Sequence, residues 1–168
     1  AKALGAKAVV GIARNPKKLE RALKYGADYV INSTGKDVKQ IRDEFRALCK
    51  EHGLPPNYGW KIFEVTGSKA AQEIALALLS FIGKLIWVGF STNDNEYSLS
   101  RLMAFDAEII GTWGCLPEYY PRALEMVLDG RIQIDPFVET RPMSTIQKTF
   151  EEAHVGELDK RVVLTPDF

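Results

Sequence analysis

The sequence predicts an α/β protein built on a doubly wound parallel sheet, and two patterns carry that prediction. Short apolar runs rich in Val and Ile alternate with amphipathic stretches, the pattern expected when helices cover a parallel sheet. Cap and turn residues (Asn15, Asp37, Ser68, Gly130) stand where those stretches begin and end, as strand–helix connections require.

Each element follows from its own residues. Residues 8–12 read as a strand, followed by Asn15 as a helix N-cap with Pro16 at the first helical position. That helix is expected to bury Leu19, Ala22 and Leu23, and residues 29–31 form a second, short strand. Asp37 caps a helix whose stripe is Val38, Ile41, Phe45 and Leu48, and "GLPPNYG" then breaks it. Residues 61–65 are a strand, and Ser68 caps a helix with Ala71, Ile74, Ala75, Leu78 and Leu79 on its apolar face. Residues 85–88 read as a strand buried on both faces, residues 93–97 as a polar loop, and residues 100–105 as a short helix. The last core strand covers residues 108–112. Tyr120, Ala123, Leu124, Val127 and Leu128 line a further helix that Gly130 stops. Ser144 and Gln147 have capping-box spacing for a final helix ending near Gly156, and residues 161–164 form a closing strand.

Composition narrows the function classes. The 168 residues suffice for a sizeable core, and 46% hydrophobic with 26% charged residues is ordinary for a globular chain. Lys plus Arg and Asp plus Glu balance at 22 each, which argues against a general nucleic-acid surface. No apolar run has the length of a membrane span and no signal peptide opens the chain. Cys49 and Cys115 make no disulfide framework, which points to the reducing cytoplasm. The opening "AKALGAKAVV" reads as the end of a helix entering a strand, so the sequence is expected to be a fragment.

Parallel strands joined by right-handed crossovers put their carboxyl ends on one edge, where ligands of open α/β sheets bind. That edge comprises Ala13-Arg14, Asn32-Ser33, Thr66-Gly67, Gly89-Phe90 and Gly111-Thr112. The glycines allow close approach of a ligand, and ordinary tight turns explain them equally well. Cys49 and His52 stand three apart. Zinc needs at least three protein ligands, so helix packing with an exposed histidine is the expected role, and no metal or catalytic residue is assigned. His154 is expected on a helix surface and Cys115 in a loop. No Ser–His–Asp order or carboxylate pair stands out.

Five segments in order, "AKALGAKAVVGIARNPKKLERALKYGAD", "IFEVTGS", "GKLIWVGF", "GRIQIDPFVETRP" and "KRVVLTP", resemble the cofactor-binding part of the zinc-type medium-chain alcohol dehydrogenases. The resemblance implies a Rossmann-type sheet whose first strand and glycine-rich turn lie upstream of Ala1. It implies a partial dinucleotide-binding domain over residues 1–135 and a segment over residues 136–168 returning toward a catalytic domain. Zinc and the proton relay would belong to that other domain. A narrower likeness, carried by "GLPPNYGWKIFEVTGS", "LMAFDAEIIGTWGC" and "VVLTPDF", is to the 6-hydroxycyclohex-1-ene-1-carbonyl-CoA dehydrogenases. It implies oxidation of a cyclic acyl-CoA alcohol to a ketone.

Carried over residue by residue, the resemblance assigns cofactor contacts. Lys18 falls near the adenosine ribose and Arg161 near the pyrophosphate, where a guanidinium suits a phosphate. Val65, Thr66 and Gly67 lie beside the adenosine half. Val88, Gly89 and Phe90, with Ile110, Gly111 and Thr112, match the backbone that holds the nicotinamide amide. Their alternative role is sheet core. The second strand of such folds usually ends in an acidic residue that binds the ribose hydroxyls and repels a 2′-phosphate, and here Ala13 stands in that position with Arg14 after it. Arg14, Lys17, Lys18 and Arg21 share one helical face. These residues favour NADP, the resemblance favours NAD, and a solvated basic face is the plain alternative.

"LMAFDAEIIGTW" matches the family stretch that pairs across a two-fold axis, implying a homodimer or homotetramer. Two other functions remain open: a zinc-free medium-chain enoyl or quinone reductase, and a non-catalytic nucleotide-binding module.

Overall fold

The computed structural model describes all residues, 1–168, and divides into two compact units, Ala1–Leu116 and Pro117–Phe168. The first unit opens on a 3-10 turn, Lys2–Leu4, and then alternates strand and helix. Its elements are β1 (Val10–Ala13), α1 (Pro16–Lys24), β2 (Tyr29–Asn32), α2 (Val38–Glu51), β3 (Lys61–Glu64), α3 (Lys69–Leu78), β4 (Lys84–Trp87), α4 (Leu99–Ala104) and β5 (Glu108–Gly111). Every strand pairing is parallel. Hydrogen bonding sorts the first unit's strands into two ladders, β1–β2 and β3–β4–β5, instead of one continuous sheet.

Both faces of the first ladder are covered, the doubly wound arrangement, whereas the second ladder keeps one face partly exposed. Val10 and Ile12 lean toward Ile31 and the α2 residues Ile41, Phe45 and Cys49. Gly11, one residue out of phase, faces α1: a methyl there would meet Ala22 and Val30, each at 3.5 Å. The period-two alternation of a strand produces this division. In the second ladder Leu85 is fully buried against Ala75, Leu76 and Leu79 of the α3 region, with Ile62 and Trp87 beside it. The opposite face carries the in-register row Phe63, Ile86 and Ile110, and Phe63 and Ile110 remain exposed. Strand β4, expected to be buried on both faces, is therefore fully buried only at Leu85.

The caps form where the sequence places them. Asn15 accepts from the Lys17 amide at 2.9 Å, and Asp37 and Gln40 make a reciprocal capping box at 2.8 Å in each direction. Ser68 accepts from the Ala71 amide at 3.4 Å. Helix α3 is less simply amphipathic than its apolar spacing predicts. Ile74 and Leu78 join the α2 cluster while Ala75, Leu76 and Leu79 pack under β4, because the helix lies between two layers. Leu23, expected inside, is exposed.

The second unit holds α5 (Tyr120–Leu128), β6 (Val138–Pro142), α6 (Ile146–Val155) and β7 (Arg161–Thr165), with β6 and β7 parallel. Strand β6 was not expected: "VETRP" has one aliphatic residue, and only the ladder to β7 makes it a strand. Gly130 follows the end of α5 and Gly156 ends α6, both left-handed. The predicted capping box does not form. Thr145 is the N-cap of α6 and makes no side-chain cap bond, Ser144 donates to Asp167 at 2.5 Å, and Gln147 donates to Glu151 at 3.0 Å. A preceding 3-10 turn, Met143–Thr145, moves the helix start past Ser144. Of the α5 apolar face, Tyr120, Leu124 and Leu128 are exposed and Met126 is the buried residue. Arg141 donates to Glu139 on its own strand at 2.8 Å and joins β6 to α6 by donating to Glu152 at 2.6 Å.

Candidate functional site

The carboxyl ends of β3 and β4 meet in a junction built on one residue, Glu64. This side chain is 3% exposed. Strand alternation puts it on the inward face with Ile62, while the following Val65 turns outward and is exposed. Burying a carboxyl group is costly without hydrogen bonds, and the next turn supplies them. Oε1 accepts from the Thr66 amide at 2.8 Å and the Thr66 hydroxyl at 2.7 Å. The Gly67 amide lies 3.2 Å from both carboxyl oxygens. The backbone carbonyl of Glu64 also accepts from the Val88 and Gly89 amides, each at 2.9 Å.

Two glycines let the turns touch. Gly67 has φ +70°, and a side chain there would overlap the Phe90 carbonyl. A methyl on Gly89 would overlap the Gly67 amide and come to 2.5 Å from Glu64 Oε2. The contact is backbone on backbone, so these positions have room for hydrogen only.

Around that junction the structure brings together six of the predicted contacts, Val65 to Gly67 and Val88 to Phe90. The next turn adjoins them through the Thr112 amide, which donates to the Trp87 carbonyl at 3.1 Å, and through the register Trp87–Gly111. Val65, Val88, Phe90 and Ile110 all present exposed apolar surface. Phe90 and Trp113 stack edge to face at 6.2 Å.

Ala13 ends β1 and Lys18 lies in the first turn of α1. Arg14 precedes the N-cap Asn15 and so does not share the helical face expected for it with Lys17, Lys18 and Arg21. The Ala13 carbonyl accepts from the Ser33 amide at 3.0 Å, and the Arg14 carbonyl from the Thr34 hydroxyl at 2.9 Å. Ala13 is half-buried, while Arg14, Lys17 and Lys18 are exposed. Arg161 opens β7 in the second unit and is exposed.

Glu64 is the residue that sequence reasoning missed. Its signal is present: an acidic residue on the inward phase of an apolar strand, followed within three residues by the donors of Thr66 and Gly67. Gln72 is a second case, fully buried on α3, where it accepts from Asn95 at 2.9 Å and holds the loop after β4.

The remaining candidates are structural. Cys49 is fully buried in the α2 core, and burial pushes its thiol up, which disfavours the thiolate that metal binding needs. His52 stacks on Tyr29 with ring centroids 4.1 Å apart. No group of three or more His, Cys, Asp or Glu side chains is placed to hold a metal, so this chain's residues do not fit a zinc site. No helix is long and apolar enough to cross a membrane.

Parallel strands alternating with helices, and glycine turns along one carboxyl edge, define the class of Rossmann-type α/β domains. Residues 1–129 match the family described as zinc-binding dehydrogenase, and the chain belongs to that family. A sorbitol dehydrogenase of Bacillus subtilis is 30% identical over 154 residues, covering 90% of this chain and 39% of the relative. Sorbitol dehydrogenase 1 of Saccharomyces cerevisiae is 23% identical over 170 residues, covering 99% of this chain and 47% of the relative. The chain thus spans less than half the length of these relatives. Among solved structures, an alcohol dehydrogenase of Thermotoga maritima superimposes with a TM-score of 0.82 at 23% identity, over 99% of this chain and 45% of that one. That likeness supports the Rossmann-type fold.

Proposed function

We propose that this chain is the cofactor-binding part of an NAD(P)-dependent alcohol dehydrogenase that oxidises a secondary alcohol to a ketone by hydride transfer. The observation that carries this reading is the junction of the β3 and β4 turns on the carboxyl edge of a family-typed parallel sheet. In this reading residues 1–135 form the dinucleotide-binding part and residues 136–168 return toward a catalytic domain that holds the zinc. β1 pairs on one edge, with β2, and β3 on one edge, with β4. A further strand carrying a glycine turn would pair between them and bring helix N-terminal amides to the pyrophosphate.

The chain's own residues then divide the work. Val65 to Gly67 lie against the adenosine half, with Lys18 near its ribose, and the family likeness alone assigns Arg161 of the second unit to the pyrophosphate. Val88 to Phe90 and Ile110 to Thr112 offer strand-end backbone to the nicotinamide amide, and their apolar side chains exclude water. The nicotinamide, when bound, supplies the hydride acceptor. NAD is the expected cofactor, with NADP accommodated by Ala13, Arg14 and Lys18. Two free thiols, Cys49 and Cys115, suit a cytoplasmic protein.

The narrower substrate, a cyclic acyl-CoA alcohol of the 6-hydroxycyclohex-1-ene-1-carbonyl type, rests on sequence likeness in the β3, β5 and β7 regions. The names of the relatives favour a polyol instead. Assay of the full-length protein with NAD or NADP against a cyclic hydroxyacyl-CoA, sorbitol and a simple secondary alcohol separates these readings. Reduction with the acyl-CoA alone supports the narrow one, and reduction with sorbitol alone replaces it. Failure with every alcohol argues instead for a reductase or a nucleotide-binding module.

β5 pairs only with β4, which leaves its outer edge open. An open apolar edge is an association surface, so the full-length protein is expected to be a homodimer or homotetramer through this strand. Light scattering that found a stable monomer at micromolar concentration would overturn that expectation.

A further inference from the structure

We infer that Glu64 is a positioning residue for the dinucleotide: it sets the turn after β3 against the turn after β4, so that the two halves of the cofactor meet backbones in fixed register. This rests on the proposed cofactor site and adds to it a residue that makes no cofactor contact of its own.

The carboxyl group receives the Thr66 amide, the Thr66 hydroxyl and the Gly67 amide, and its oxygens are spent on that turn. The same residue's carbonyl receives Val88 and Gly89. One residue therefore bonds to both turns, through its side chain on one and its backbone on the other. Gly89 closes the arrangement, since any side chain there would overlap the Gly67 amide and come to 2.5 Å from Glu64 Oε2.

A neutral amide cannot reproduce this pattern. Gln in place of Glu64 keeps one acceptor, but its NH2 group would face the Gly67 amide, donor against donor. A buried, unsatisfied amide is costly to keep in place, and the turn can relieve it only by moving Thr66 and Gly67. These are the atoms proposed to lie against the adenosine half, so the loss should fall on cofactor binding. The reacting carbon lies with the other half, so turnover at saturating cofactor should change little.

The test uses the full-length protein, Glu64→Gln, and two readouts. Hydrogen exchange without cofactor should quicken at Thr66 and Gly67 and stay unchanged in α2. The KM for NAD or NADP should rise about tenfold while kcat stays within about twofold. Glu64→Asp, which keeps the carboxyl group and withdraws it by one methylene, should fall between wild type and Glu64→Gln and serves if Glu64→Gln does not fold. A lowered melting temperature with unchanged cofactor KM would make Glu64 merely structural and overturn the inference. Unchanged exchange at Thr66 and Gly67 would overturn it as well. A wild type that reduces neither nucleotide overturns the cofactor reading beneath it, and the exchange data then still decide whether Glu64 holds the turns.

Discussion

Gly89 and Gly111 sit near the ends of neighbouring parallel strands, and a methyl group fits at only one of them. At Gly89 it would overlap the Gly67 amide, whereas at Gly111 nothing lies within 4 Å. The difference is between a closed junction, where β3 and β4 turns are packed on each other around Glu64, and open flanks at β1 and β5. In the closed part, shape and hydrogen bonding are inseparable, so a substitution damages the fold and the site together. On the open flanks the backbone is held elsewhere and the side chains are available to a ligand. Substitutions there should change selectivity and leave folding nearly alone.

The largest effect is expected at the closed junction. Gly89→Ala must displace the Gly67 backbone or the Glu64 carboxyl group, and overpacking of this kind costs about 3 kcal/mol. The full-length variant should melt at lower temperature or fail to accumulate. A melting temperature equal to that of the wild type would show that the turns separate easily, and the contrast between the regions would collapse.

On the β1 flank the expected effect is smaller and falls on cofactor choice. Ala13 ends its strand without an acidic side chain, and Arg14, Lys17 and Lys18 are exposed beside it. A carboxylate there would accept the ribose hydroxyls of NAD and repel a 2′-phosphate. Ala13→Asp should therefore move the NAD/NADP ratio of kcat/KM toward NAD by about tenfold, or ~1.4 kcal/mol. An unchanged ratio would mean that position 13 does not face the ribose. Arg14→Ala should lower NADP activity more than NAD activity by only about threefold, because an exposed charge is well screened. The effect should shrink further as salt is raised, and a salt-independent loss would point to packing rather than charge.

How much of this was legible in the sequence varied with the range of the forces involved. Caps at Asn15, Asp37 and Ser68 are local hydrogen bonds, and they appear where the residues predict them. The parallel strands were visible because β-branched runs alternate with helical periodicity. What escaped was decided by partners distant in sequence or by competing bonds. β6 exists through its ladder to β7, and Ser144 gives its hydroxyl to Asp167, 23 residues away, rather than capping α6. Glu64 escaped for a related reason. Its donors are near in sequence, but the burial that makes them matter comes from β4 and Gly89. The proposed contacts at 65–67 and 88–90 could be named one by one, while the residue that joins them could not.

The smallest stability effect separates the site reading from mere architecture. Gly111→Ala adds a methyl group into open space at the end of β5, where the residue has no positive φ to defend. Replacing glycine in a compatible conformation is neutral, or stabilises by about 0.4–1 kcal/mol through the unfolded chain. The melting temperature of the full-length protein should therefore hold or rise slightly. If the strand-end backbone at 110–112 does lie against the nicotinamide amide, the same methyl group enters the space the cofactor must occupy. Cofactor KM should then rise although the protein is no less stable. Stability and affinity moving in opposite directions is an outcome that sheet packing alone does not produce. Unchanged KM and unchanged stability together would remove Gly111 from the proposed contacts and leave the β3–β4 junction as the part of the edge that binds.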